Sequence, residues 1–158
     1  TLQDRNGLWT ALNDDRIDII ATDHAPHTME EKMNPYTKAP SGGPMVQHAL
    51  SVLLECHLQG KISIERIVQK MAHNPAKLFE IDRRGFVREG YYADLVLVDM
   101  DAPYTVSKDN ILYKCGWSPL EGQSFRSQVT HTIINGALAY DQGKFSNQKT
   151  AMPVAFTR

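Results

Sequence analysis

An aspartate and two histidines fall within five residues in Thr22-Asp-His-Ala-Pro-His27. Carboxylate and imidazole groups both ligate zinc, and both can carry protons near neutral pH. The apolar, β-branched run from Ile17 to Ala21 leads directly into them and predicts a buried strand. Pro26 forbids the ladder from continuing. Asp23, His24 and His27 therefore stand where a strand meets the surface. In parallel α/β folds, ligands bind and chemistry takes place at the carboxyl ends of strands. The same residues have a plainer reading, with Asp23 capping the next turn and the histidines as ordinary loop residues. Spacing alone leaves both open.

The elements around this stretch can be read from periodicity. Leu2 to Asn13 reads as a helix with Leu8, Leu12 and one face of Trp9 apolar, closed by the polar Asn13-Asp-Asp15 turn. Residues 27–43 form a long loop rich in charge, proline and glycine. Loops of this length are usually functional or disordered. Its place directly after His27 makes it a lid or floor for an active site. Val46, Leu50, Leu53, Leu54 and Leu58 recur at helical spacing and predict an amphipathic helix from Met45 to Gln59, stopped by Gly60. Ser63 caps a further helix with Glu65 in its first turn, and Ile64, Ile67, Val68 and Met71 form its apolar stripe. Asn74-Pro75 predicts a fresh helix start running through Phe79. Nothing local marks His73 as a ligand.

From Gly85 the hydrophobic period changes to two. Phe86-Val87, Ala93–Val98, Val129–Leu138 and Ala139-Tyr140 read as strands, with Asn135-Gly136 as a hairpin turn. The connection over residues 101–128 reads as irregular. The chain thus divides into a helix–strand portion (1–84), a β portion (85–146) and a polar, loosely held tail (147–158).

A net charge of −1 gives no basic footprint for nucleic acid or an anionic membrane. No apolar run approaches the ~20 residues of a membrane span, and no signal peptide is expected. Cys56 and Cys115 are too few and too far apart for a disulfide framework or a zinc ribbon. Reduced cysteines and a cytoplasmic location are the expectation.

Several segments carry a resemblance to one family. Thr22-Asp-His-Ala-Pro-His27 resembles the TDHAPH segment of dihydroorotases, cyclic amidases of the amidohydrolase superfamily. Lys38-Ala-Pro-Ser-Gly-Gly-Pro44 resembles their substrate-covering loop, and His73-Asn-Pro-Ala-Lys-Leu-Phe79 their NPAKLFG-like helix start. Tyr91-Tyr-Ala-Asp-Leu-Val-Leu-Val-Asp99 resembles the strand that re-enters their second domain. Ser118-Pro-Leu-Glu-Gly122 is similar to their TPFEG turn, and His131-Thr-Ile-Ile-Asn-Gly136 to the strand before the last hairpin. The likeness runs from about Arg5 to Ser146 in the family's order.

The resemblance implies an α/β fold: the carboxyl-terminal part of a (β/α)8 metal-dependent hydrolase barrel over residues 1–84, then part of a small β-sandwich over residues 85–146. Such a barrel takes ~250 residues, and the chain has 158 and opens on Thr1. The expectation is therefore a portion of a larger enzyme. Its reaction would be the zinc-dependent, reversible hydrolysis of dihydroorotate to N-carbamoyl-aspartate in pyrimidine biosynthesis. By the family pattern Asp23 is both zinc ligand and catalytic acid–base, and His27 contacts substrate. Ala25, Gly43 and Pro44 line the substrate, and His24 makes a structural hydrogen bond. The family's other zinc ligands have no counterpart in this chain, so alone it is expected to be inactive and to bind zinc weakly. Association with a second copy or with the rest of the enzyme is expected.

One departure bears on substrate. Pro44-Met-Val-Gln-His48 replaces the P-G-[LIV]-E-T pattern of many relatives. Gln47 and His48 then suggest a divergent dihydroorotase, or a hydantoinase, dihydropyrimidinase or allantoinase specificity. A non-catalytic dihydroorotase-like assembly subunit is a third reading.

Overall fold

The structure, a computed structural model, describes residues 1–157. Among these, five α-helices precede six strands. The helices are α1 (Leu2–Asn13), α2 (Met29–Lys32), α3 (Ala49–Leu58), α4 (Ile64–Val68) and α5 (Asn74–Leu78). The strands are β1 (Leu95–Asp99), β2 (Tyr104–Thr105), β3 (Ser124–Phe125), β4 (Gln128–Ile134), β5 (Ala137–Asp141) and β6 (Lys144–Phe145). Two compact units share the chain. One comprises Thr1–Ile20, Cys56–Asp99 and the chain from Val129, and the other Ala21–Glu55 and Met100–Gln128. No helix of the described residues is long and apolar enough to cross a membrane.

In the first unit, Thr1 and Asp4 form a capping box that starts α1, satisfying two N–H groups that have no partner within the helix. The helix ends at Asn13, as its sequence predicts. Of its apolar stripe only Leu12 is buried, and Leu8 stands 61% exposed.

The predicted buried strand Ile17–Ala21 is not formed. The segment is neither helix nor strand, and Ile17, Ile19 and Ile20 are only half-buried. A strand exists through the ladder it shares with its neighbours, and no strand of the described residues lies beside this one. Side chains of the following helical run hold it instead. The fully buried Lys70 ammonium donates to Asp15 Oδ1 at 2.6 Å and to the Ile17 carbonyl. Asn74 Nδ2 donates to the Asp18 carbonyl at 2.7 Å, and the Ile20 N–H to the Lys70 carbonyl at 3.2 Å. Arg66 also meets Asp15, at 2.7 Å. Hydrogen bonds from Lys70, and then from Arg66, hold the Asp15 carboxyl down at about 2.

That helical run differs from expectation at Asn74-Pro75. Asn74 is not an N-cap but has helical φ/ψ, and a π-helical turn, Gln69–His73, joins α4 to α5. Pro75 has no N–H to donate and would break an α-ladder. The chain widens by one residue, the Asn74 N–H reaching the Gln69 carbonyl, and the helix carries on. Ser63 caps α4 as expected, accepting from the Arg66 N–H.

The β portion holds a four-stranded sheet in the order β1-β4-β5-β6. Asn135 and Gly136 make its hairpin with φ of 51° and 81°, the pair of positive values that favours Asn-Gly. Arg84 fixes the turn, pairing with Asp94 and donating to Asn135 Oδ1 at 2.8 Å. Phe86-Val87 is not a strand. Phe86 stacks on His73 with centroids 4.3 Å apart, and Val87 is 86% exposed. Two alternating residues without a partner strand do not make a ladder.

The tail is likewise not loose. Phe156 bridges Ile81, and the Asp82 N–H donates to the Ala155 carbonyl at 2.9 Å. The backbone of residues 80–82 supplies the pairing that the polar composition of the tail conceals.

In the second unit the connection read as irregular contains the two-stranded sheet β2–β3, with Tyr104 opposite Phe125. Phe125, Val106, Leu53 and Leu54 are buried there. Tyr104 donates its hydroxyl to Ser51 Oγ at 3.0 Å, and Arg126 grips Glu55 of α3 at 2.8 Å. Cys56 and Cys115 are not joined in a disulfide.

Candidate active site

All of Asp23, His24, Ala25, His27, Gly43 and Pro44 lie in the second unit. Two chain segments build the site. The first, residues 22–27, meets the second, residues 42–46, in a single parallel bridge between His24 and Gly43. The Ala25 N–H donates to the Gly43 carbonyl at 3.0 Å. The His27 N–H then turns back to the Ala25 carbonyl at 2.9 Å, so the chain folds tightly around Pro26.

Asp23 has φ of +46°, a left-handed conformation that aspartate and asparagine tolerate better than other side chains. Its carboxylate is exposed, and among the described residues it makes no hydrogen bond or ion pair. This rules out the plainer reading of Asp23 as a turn cap. Thr28 does that job instead, capping α2 in a box with Glu31.

Gly42 is required where it stands. Its φ is +81°, and a Cβ there would lie 2.6 Å from the Ala25 Cβ. That absent methyl lets the second segment close onto the first. Pro44 beside it is fully buried.

His24 does the structural work expected of it. Its Nδ1 accepts from the Met45 N–H at 3.1 Å and the Val46 N–H at 3.4 Å. The Gln47 N–H donates to the Tyr113 hydroxyl at 2.9 Å. These donors lead into α3, where backbone N–H groups lack helical partners.

The long loop 27–43 is folded back by Lys32, whose ammonium donates to the carbonyls of Pro40 at 2.7 Å and Gly42 at 2.9 Å. His27 is partly exposed, with Nδ1 3.6 Å from Glu31 Oε2. The Thr28 N–H and hydroxyl, bonded to Glu31, lower that carboxyl below the usual range.

Gln47 and His48 are held by the 110–118 segment. Gln47 Nε2 donates to the Asn110 carbonyl at 2.7 Å, and its Oε1 accepts from the Leu112 N–H at 2.9 Å. His48 is fully buried, its Nδ1 shared between the Tyr113 hydroxyl at 3.3 Å and Ser118 Oγ at 3.4 Å. Burial pushes the His48 pKa below its ordinary value and the Tyr113 phenol above its own. Both Gln47 and His48 bind the 110–118 segment to the start of α3.

Sequence reasoning missed Lys32, Tyr113 and Trp117. Trp117 donates its indole N–H to the His27 carbonyl at 2.8 Å. No periodicity or motif signals such contacts, because their partners lie 8 to 90 residues away.

The described residues contain no group of three or more His, Cys, Asp or Glu side chains placed to share a metal ion. An exposed, unpartnered carboxylate suits one ligand of a zinc site. It does not make a site by itself.

The chain matches the amidohydrolase family over residues 3–139. It belongs to that family. The dihydroorotase of Halobacterium salinarum is 45% identical over 137 residues, covering 87% of this chain and 32% of the relative. The dihydroorotase of Clostridium acetobutylicum is 38% identical over 139 residues, again 87% and 32%. Among solved structures, D-hydantoinase (dihydropyrimidinase) from Thermus sp. superposes with a TM-score of 0.84 at 27% identity, over 92% of this chain and 33% of that one. The amidohydrolase chain spans about a third of the length of these relatives. Its mixed helices and strands are those of a partial (β/α)8 barrel followed by β-structure.

Proposed function

We propose that the whole protein is a zinc-dependent dihydroorotase, interconverting dihydroorotate and N-carbamoyl-aspartate in pyrimidine synthesis. The observation that carries this reading is Asp23: an exposed carboxylate without a partner among the described residues, beside a backbone bridge that joins two of the segments carrying the family resemblance. The relatives named dihydroorotase, at 38% and 45% identity, support the same substrate.

Ring opening forms a C–O bond from water to the amide carbonyl carbon and breaks the C–N bond. One proton must leave the water and one must reach the departing nitrogen. Asp23 is the group in this chain that can do both, accepting the first proton and delivering it to nitrogen. It would also be one ligand of the zinc, which when bound acidifies water and polarises the carbonyl. His27, with the backbone of Ala25, Gly43 and Pro44, would orient the ring. Three or more protein ligands are the rule for catalytic zinc, so the isolated chain should hold zinc weakly and turn nothing over. Association with the rest of the enzyme, or with another copy, would complete the site.

A second reading has its own support. The hydantoinase from Thermus sp. shares the fold at 27% identity. The test is an assay of the full-length protein on dihydroorotate, hydantoin and allantoin. Turnover of dihydroorotate by at least tenfold over the others in kcat/KM is expected. Preference for hydantoin would replace the dihydroorotase reading. Metal-loaded protein that converts none of the three would identify a non-catalytic subunit.

A further inference from the structure

The segment 111–120 reaches both halves of the candidate site through one side chain. Trp117 Nε1 donates to the His27 carbonyl at 2.8 Å. The far edge of the same indole, Cη2, lies 3.9 Å from where a Cβ of Gly43 would be. So the ring spans from His27 on one segment to the glycine of the bridge on the other. The segment that carries it is itself fixed. Ser118 Oγ meets the buried His48 and accepts from the Leu120 N–H at 3.2 Å, and the Tyr113 hydroxyl caps the Gln47 N–H.

We propose that Trp117 is a positioning residue of the substrate site, setting His27 relative to Gly43 so that the two contact one ring together. The inference rests on the dihydroorotase reading for its substrate, but the anchoring is a property of this chain. His27 has a tight turn on one side and the capped start of α2 on the other. The indole N–H is the side-chain donor bonded to its carbonyl. Without it the backbone between Pro26 and Thr28 loses the bond that fixes the peptide plane.

A hydrogen bond acting on substrate binding rather than on the chemical step should appear in KM. In the full-length enzyme, Trp117→Phe, which keeps an aromatic ring but removes the donor, should raise KM for dihydroorotate by about three- to tenfold. It should leave kcat within about twofold. Trp9→Phe, in α1, is the control and should leave both unchanged. Amide exchange over residues 22–28 should quicken in Trp117→Phe and not in Trp9→Phe. An active parent whose Trp117→Phe variant keeps its KM, or loses kcat alone, overturns the positioning role. A parent inactive on all three cyclic amides ends the dihydroorotase reading instead. The exchange measurement then decides the anchoring, and unchanged exchange overturns it.

Discussion

Replacing Asp23 with asparagine separates chemistry from folding, because the structure gives the carboxylate no partner to lose. Asparagine keeps the side chain's size and tolerates the left-handed φ of +46°. An exposed substitution of this kind changes stability by no more than about 0.5 kcal/mol. In a domain of this size that is ~1–2 °C in Tm. Activity should respond very differently. Loss of a positioned proton carrier costs about 10²- to 10⁴-fold, or roughly 3–5 kcal/mol in the barrier. Loss of an anionic zinc ligand adds to it. Asp23→Ala is the informative companion, since alanine at positive φ costs about 1–2 kcal/mol. It should lose activity similarly but also melt several degrees lower. Steady-state turnover of dihydroorotate, thermal melting and metal content of the full-length protein provide the assay. Asp23→Asn with activity within tenfold of the parent refutes the catalytic assignment. A drop in Tm matching that of Asp23→Ala would show that Asp23 is structural.

Three further outcomes follow from the packing. Lys70→Met removes the ammonium from Asp15 and the Ile17 carbonyl; loss of a charged hydrogen bond at about 1.5–3 kcal/mol, partly offset by the apolar replacement, should lower Tm by several degrees in calorimetry. It should also weaken the depression of the Asp15 carboxyl, whose stabilisation is present above its unfolded value of 3.8 and lost as pH falls toward about 2; acid unfolding should begin at higher pH in the variant. His48, with its pKa lowered by burial, takes up its proton in the unfolded chain before the folded one. Stability should therefore be full above pH 6.5 and fall with acidification below it, and His48→Leu should flatten that slope in melts at pH 7.5 and 5.5. Gly42→Ala places a methyl 2.6 Å from the Ala25 Cβ at a φ of +81°; it should raise KM for dihydroorotate at least tenfold, because the two segments can no longer close.

Much of the candidate site was legible in the residues. Thr22-Asp-His-Ala-Pro-His27 marked the position, and Asn135-Gly136 and Ser63 marked a turn and a cap, because these signals act over four residues or fewer. Gln47 and His48 also brace the 110–118 segment, a role the sequence did not show, since it gives which side chain is present and not which way it faces. Lys70 shows the same limit. Its place at helical spacing gave no hint that a lysine would be wholly buried while Ile64 and Val68 nearby stand about 40% exposed.

The amino-acid sequence alone determined the family, the Ser63 helix cap, the Asn135-Gly136 turn and the candidate carboxylate, Asp23. These depend on local backbone preference or on residue identity, and need no distant partner. Tertiary structure alone decided that Ile17–Ala21 lies unladdered, that Pro75 is absorbed by a π-helical turn, that the tail pairs with residues 80–82, and that Trp117 spans His27 and Gly43. The tail and Trp117 contacts join residues far apart in the chain, Ile17–Ala21 lacks the neighbouring strand a ladder needs, and the π-helical turn rests on helical continuity past Pro75.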